Sequence, residues 1–234
     1  MMELIDFHTH ILPGIDDGSA SVEESIKMLR MEAQQGIRKV VLTPHFYPWR
    51  HKPEEFLQRR SRAYERLQSE AEKDETLPKM VLAAEVHYYK GMSHSEQLPQ
   101  LAITGTNCIL VEMPMPPWSE EMFGELEQFQ RNLGLVPIVA HIDRYIRPFR
   151  TYGIPAKLER LPVLVQANCS FFMKPFTRHL AKKLLRQGKI HLLGSDCHNT
   201  SSRVPCMEDA RERMDAAEVS TICAMQTKVF PEEM

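Results

Sequence analysis

The sequence has no run of about 18 apolar residues and no cationic segment leading into an apolar one at its N-terminus. A membrane-spanning helix and a secretory signal are therefore not expected, and a cytoplasmic location is. It has no basic stripe or charged tail, the net charge is −2 and the pI is near 6.6, so a nucleic-acid-binding surface is not indicated. The five cysteines (Cys108, Cys169, Cys197, Cys206, Cys223) are odd in number, widely scattered and free of any C-x-x-C pairing. They read as reduced thiols in a reducing compartment, not as a disulfide framework. No internal repeat, low-complexity tract or composition break divides the chain. With 43% hydrophobic residues, its 234 residues are expected to form one domain, 1–234, around a full core, with the methionines filling gaps.

What is present is a rhythm of strand, loop and helix. Apolar strands are expected at Glu3–Phe7, Arg38–Thr43, Met80–Glu85, Asn107–Met113, Gly134–Ala140, Val163–Asn168 and Ile190–Ser195. Between them lie helices opened by the capping-box pattern Ser21-Val-Glu-Glu24, by Pro53 and by Ser119, a short piece over 156–160, a helix over 176–187 and a last one over 208–217. Strands alternating with helices, each apolar enough to be buried on both faces, imply a parallel sheet.

The polar residues at the strand ends choose between an open sheet and a barrel. Asp6-Phe-His8-Thr-His10 ends the first strand, and alternate side chains of a strand share a face, so His8 and His10 can point at one spot. Asp17 follows in a Gly-flanked loop. His45, Glu85, Glu112, His141, Asp196 and His198 likewise stand at or just past strand ends. Singly, each has a structural reading, such as a surface His pair, a loop cap or an Asx turn. Together they come from six of the seven expected strands. An open doubly wound sheet would scatter them, whereas a closed barrel gathers them at its C-terminal face. Five histidines and four carboxylates exceed what one metal needs and suffice for two or three divalent ions. A nitrogen and oxygen donor set without cysteine favours Mn, Fe or Zn. Arg144 and Arg203, on the loops after His141 and His198, are placed to grip an anionic substrate through planar guanidinium groups. Phe46, Tyr47 and Trp49 either form an apolar wall for an aromatic leaving group or pack their own loop. His51, His87, His94, His179 and His191 are taken as structural or exposed.

These motifs, His8-Thr-His10, Ile15-Asp-Asp17-Gly, Thr43-Pro-His45, Glu85, Val111-Glu112-Met-Pro, His141 and Gly194-Ser-Asp196-Cys-His198-Asn, resemble the PHP (polymerase and histidinol phosphatase) superfamily. Within it they are most similar to the metal-dependent protein-tyrosine phosphatases of Gram-positive capsule and exopolysaccharide loci. The resemblance runs in order to about Arg203. It implies a distorted TIM-like barrel of about seven β/α units, parallel strands with outer helices, and a trinuclear centre, usually manganese. It implies a phosphotyrosine protein substrate, a bacterial tyrosine kinase. By motif, His8, His10, Glu85 and Asp196 would hold one ion, Glu85 would bridge to a second held by His141, and Asp17, His45, Glu112 and His198 would serve a third. Arg144 and Arg203 match the phosphate-binding arginines. One departure is visible: the family's His-Pro-Glu-Arg-Tyr is here His141-Ile-Asp-Arg-Tyr145. The rival functions are a small-metabolite phosphatase of histidinol-phosphate type, a nuclease, which the acidic pI disfavours, and a kinase-binding regulatory module with structural metals.

Overall fold

A computed structural model describes residues 4–231; Glu3 of the expected first strand lies outside them. Among the described residues, nine short strands occur in the order β1 Ile5–Thr9, β2 Lys39–Leu42, β3 His45–Phe46, β4 Lys79–Leu82, β5 Glu85–His87, β6 Cys108–Glu112, β7 Val136–Val139, β8 Leu164–Asn168 and β9 Leu192–Gly194. Every pairing is parallel. β2 runs on into β3, and β4 into β5, across the two-residue breaks Thr43-Pro44 and Ala83-Ala84. The expected strand Met80–Glu85 is thus two segments. Pro44 has no N–H to give the ladder, and the Thr43 hydroxyl takes over there, accepting from Thr9 N and donating to Thr9 O, each at 3.1 Å.

The strands close on themselves. β1 lies beside β2 and β9 beside β8. Asp196 N donates to His8 O at 2.8 Å and His10 N to Cys197 O at 2.9 Å, which joins the last strand to the first. The result is the expected parallel α/β barrel.

Alternation sorts the strand residues into two buried layers. In β6, Cys108 and Leu110 join Ile5, Phe7, Val41, Ile138 and Leu192 inside the ring. Ile109 and Val111 pack outward against helix residues such as Leu126 and Phe129. β1 breaks this alternation. Its register against β2 slips between Asp6 and Thr9, leaving one extra residue on β1. Such a bulge re-aims the side chains beyond it. Without it His8 would share the face of Asp6, whose carboxylate turns away to accept from Ser195 N.

The outer helices begin where the capping residues predict. Ser21 Oγ accepts from Glu24 N at 3.2 Å at the start of Val22–Gln34, although Glu24 reaches back to Ala20 N instead of closing the box on Ser21. Ser119 caps Glu120–Leu133. Elsewhere the helices depart from expectation. Residues 208–217 are not one helix: Met207–Arg211 ends, and Ala216–Val229 starts at a full capping box of Asp215 and Glu218. A further short helix, Cys169–Met173, follows β8 directly.

Candidate metal centre

The bulge and the ring closure place two imidazoles face to face. His8 Nδ1 bonds Gln166 Oε1 at 3.3 Å, and His10 Nδ1 bonds Asp16 Oδ2 at 2.7 Å. An acceptor on each Nδ1 makes that nitrogen the N–H and leaves the Nε2 lone pair bare. Those two Nε2 atoms stand only 3.1 Å apart. Glu85 Oε2 lies 3.2 and 3.5 Å from them, and Asp196 Oδ1 3.7 and 3.5 Å. All four side chains are buried. Lone pairs converging among buried carboxylates call for a cation at their centre.

The same pattern repeats around this point. Three groups of donors have their atoms within 4.8 Å of one another: His8, His10 and Glu85; His10, Asp17, His45 and His198; and His45, Glu85 and Glu112. Each group shares a residue with each of the others, so the positions adjoin. His198 Nδ1 bonds Asp196 O at 3.0 Å, leaving Nε2 to face Asp17 Oδ1 at 3.5 Å. His45 Nε2 lies 3.4 Å from the same Asp17 oxygen, while its Nδ1 lies 2.8 Å from Glu85 Oε2. His141 Nε2 meets Glu85 Oε1 at 2.8 Å and Glu112 Oε1 at 3.6 Å. His198 Nε2 is buried without a hydrogen-bond partner among the described residues, and His45 Nδ1 and Glu85 Oε2, although 2.8 Å apart, lack hydrogen-bond geometry. Such orphans are costly unless a ligand completes them. The donor set therefore fits divalent ions. Glu112 falls with His45 and Glu85, not with Asp17 and His198 as the motif-based partition has it.

Electrostatics agree. Burial alone would keep His8 and His10 neutral, but Glu85 and Asp196 outweigh it at His8, and Asp16 does so more strongly at His10, so both are raised above the ordinary imidazole value. Burial would raise Glu85 and Asp196, yet His8 and the other imidazoles hold both carboxyls well below their usual range, helped at Asp196 by Arg144. His198 goes the other way, down to about 4, through burial and the proximity of His10. The carboxylates that favour protons on these imidazoles would favour a divalent ion in the same place, and binding it would release those protons.

Both expected arginines reach the cluster. Arg144 Nη2 donates to Asp196 Oδ2 at 2.5 Å and its Nη1 to Glu112 Oε1 at 3.2 Å. Arg203 Nη2 donates to Asp196 Oδ1 at 2.7 Å. With side chains 35% and 39% exposed, they stand at the mouth. The altered loop carries Arg144 securely. Asp143 accepts from Asn168 N at 2.9 Å, which ties the loop to the end of β8. His141 (φ 31°) and Asp196 (φ 56°) hold left-handed backbone, a conformation non-glycine residues avoid unless their surroundings impose it.

Four contributors escaped the sequence reading. Asp16, adjacent to Asp17, orients His10 and also accepts from His45 N at 3.0 Å. Gln166 accepts from His141 N at 2.6 Å as well as bonding His8. Asn168 Nδ2 donates to Asp196 Oδ2 at 2.9 Å. His87, taken as structural, bonds Glu112 Oε2 through Nδ1 at 2.9 Å. Gln166 and Asn168 do carry a signal: they are amides at alternate positions in the last half of an otherwise apolar strand.

A closed parallel barrel whose C-terminal mouth gathers histidines, carboxylates and two arginines has the architecture of a metallohydrolase. Residues 4–226 match the model of the capsular polysaccharide synthesis family CpsB/CapC, and the chain belongs to that family. Among characterised relatives, the tyrosine-protein phosphatase YwqE of Bacillus subtilis is 29% identical over 208 residues, covering 86% of this chain and 79% of its own. The tyrosine-protein phosphatase CpsB of Streptococcus pneumoniae is 29% identical over 224 residues, covering 88% of each. Among solved structures, a chain from the work on YwqE of B. subtilis and CpsB of S. pneumoniae, described as metal-dependent tyrosine phosphatases, superposes with a TM-score of 0.80 at 21% identity over 96% of this chain and 93% of that one. A Listeria monocytogenes protein assigned as a histidinol phosphatase superposes at 0.51 with 12% identity, covering 83% and 95%.

Proposed function

We propose that this chain is a metal-dependent phosphomonoester hydrolase acting on phosphotyrosine in protein, with a bacterial tyrosine kinase of capsule or exopolysaccharide synthesis as its substrate, in the cytoplasm. The observation that carries the reading is the set of three adjoining donor groups beside two arginines. His8, His10, Asp17, His45, Glu85, Glu112, His141, Asp196 and His198 would hold two or three divalent ions, with manganese the best candidate and Fe or Zn the alternatives. When bound, such ions supply Lewis acidity to the phosphoryl oxygens and to the attacking water.

The chain's own groups do the rest. Arg144 and Arg203 both rest on the Asp196 carboxylate and can turn from it to the equatorial oxygens of a phosphoryl group, where charge grows in the transition state. Asp196 and Glu112 hold the Arg144 guanidinium in place until then. Asp16, Gln166 and the Asp196 carbonyl fix the imidazole tautomers of His10, His8 and His198. No thiol nucleophile is available at the mouth, since all five cysteines are buried.

Purified protein is expected to hydrolyse a phosphotyrosyl peptide when loaded with Mn, to stop on chelation, to keep its rate in a Cys→Ser series, and to lose turnover in Asp196→Ala and His45→Ala. Activity that persists in chelator would overturn the reading. Preference for a small phosphorylated alcohol over the peptide would instead identify a metabolite phosphatase.

A further inference from the structure

We propose that Tyr47 and Trp49 form a wall against which the aryl ring of the leaving group is seated, so that the centre selects aryl over alkyl phosphomonoesters. The inference deepens the phosphatase reading above and rests on it.

The wall grows from alternation at the end of β3. His45 faces the cluster. Phe46 faces away, edge-on to Phe56 at 5.2 Å between centroids, in the outer core. Tyr47 returns to the His45 side, its ring stacked on that imidazole at 5.0 Å and 25°. Trp49 lies 5.2 Å from Tyr47 and stands edge-on to His87, with centroids 4.8 Å apart and planes at 87°. His87 in turn bonds Glu112 Oε2, while Arg144 holds Oε1 of the same carboxylate. The three rings thus reach from one candidate metal ligand, His45, to another, Glu112. Only that carboxylate separates them from a guanidinium suited to the phosphoryl group.

A loop-packing role does not account for Trp49. The loop is held without it: Arg50 N and His51 N donate to Tyr47 O at 3.0 and 2.9 Å, and Tyr47 N donates to His51 Nδ1 at 3.1 Å. The Arg50 guanidinium lies over the Tyr47 ring at 5.5 Å. Trp49 remains 61% exposed, so its ring surface is available to an incoming group. An offset or edge-on aromatic partner is the occupant such a surface rewards. A seryl or threonyl phosphate brings no ring to it.

The test compares kcat/KM for a phosphotyrosyl peptide and the same peptide carrying phosphoserine, on Mn-loaded wild type, Trp49→Ala, Trp49→Phe and Tyr47→Leu. Because Trp49 is largely exposed, its removal leaves the core intact. The aryl-to-alkyl ratio is expected to fall roughly three- to tenfold in Trp49→Ala, through KM, with metal content unchanged and Trp49→Phe retaining most of the preference. Competitive inhibition by phenylphosphonate should weaken by the same factor while that by methylphosphonate does not. Of the two tryptophans, Trp118 is buried at 7% exposure, so phenylphosphonate should also perturb a fluorescence signal that disappears in Trp49→Phe. An unchanged ratio in Trp49→Ala and Tyr47→Leu, or a wild type without aryl preference, overturns the wall and leaves the phosphatase standing. A wild type that hydrolyses neither ester overturns the phosphatase reading, and the two phosphonate affinities then decide the wall without turnover.

Discussion

Replacing Asp16 by asparagine keeps its shape and removes its charge. The carboxylate serves three donors: His10 Nδ1 at 2.7 Å, His45 N at 3.0 Å and Gly18 N at 3.0 Å. An amide has one accepting edge and one donating edge. With its oxygen toward His10 and His45, its NH2 confronts Gly18 N; flipped, it confronts both of the others. One acceptor is lost either way, and His10 loses the negative charge that makes its Nε2 a strong donor. Loss of such a supporting carboxylate costs about 10- to 100-fold in metal affinity, roughly 1.4–2.7 kcal/mol. The pH dependence gives the sharper signature. Although burial opposes it, Asp16 raises the His10 pKa well above the ordinary value, so in the metal-free protein His10 holds a proton that metal must displace. Wild-type affinity should therefore climb with pH until it passes the folded pKa of His10. In Asp16→Asn that pKa falls back, fewer protons are released on loading, and the climb is shallower. The deficit is then greatest at alkaline pH, where protons compete least, and narrows at mildly acidic pH. Competition against a chromophoric chelator at both pH values, with calorimetry in two buffers to count protons, measures it. Equal loading of variant and wild type at high pH would refute the role given to Asp16.

Gly194→Ala would set a methyl 2.5 Å from His8 Cβ and 2.8 Å from Gln166 Nε2, costing about 1–3 kcal/mol, whereas Gly124→Ala, within Glu120–Leu133 and meeting nothing within 4 Å, should stabilise by about 0.5–1 kcal/mol; thermal melts compare them. His8→Ala and Asp17→Ala should lose different ions and His10→Ala should weaken both positions, because His10 belongs to the groups of each; elemental analysis checks this, and identical losses in His8→Ala and Asp17→Ala would contradict it. Glu32, fully buried, is pushed well above its usual range by burial and by Asp6. A group with a raised folded pKa lends stability that is fully present below its unfolded value and is lost as pH rises through the folded one, at about 1.4 kcal/mol per pH unit for one proton. Glu32→Gln should flatten the fall of Tm as pH rises above the ordinary carboxylate range in the metal-free protein, and an unaltered profile would show that Glu32 does not carry it.

The barrel was legible because seven short, continuously apolar runs alternating with helices, and polar residues at the ends of those runs, are both local signals. The breaks at Thr43-Pro44 and Ala83-Ala84 were less so, since a strand changing neighbours is set by the sheet, not by its own residues. The helix Ala216–Val229 was missed for a different reason: Asp215 and Glu218 form its capping box inside what reads as one helical stretch. At the centre, histidines announced themselves. Asp16 did not, because two adjacent carboxylates look alike. What separates them is the turn at Gly18, where a Cβ would lie 2.2 Å from His10 O. Gln166 and Asn168 were passed over because an amide in a strand has many ordinary uses.

The seam between β1 and β9 also sets a timetable. His8 and His10 lie near the start of the chain, whereas Asp196 and His198 lie some 190 residues later and meet them through backbone bonds from Asp196 N to His8 O and His10 N to Cys197 O. A chain emerging from the ribosome carries the first two candidate ligands long before the last two exist. Metal capture at full affinity therefore has to wait until the final strand docks. A fragment that stops short of it would have His8 and His10 but neither Asp196 nor the arginine beyond it, so an abortive product would be a poor competitor for divalent metal.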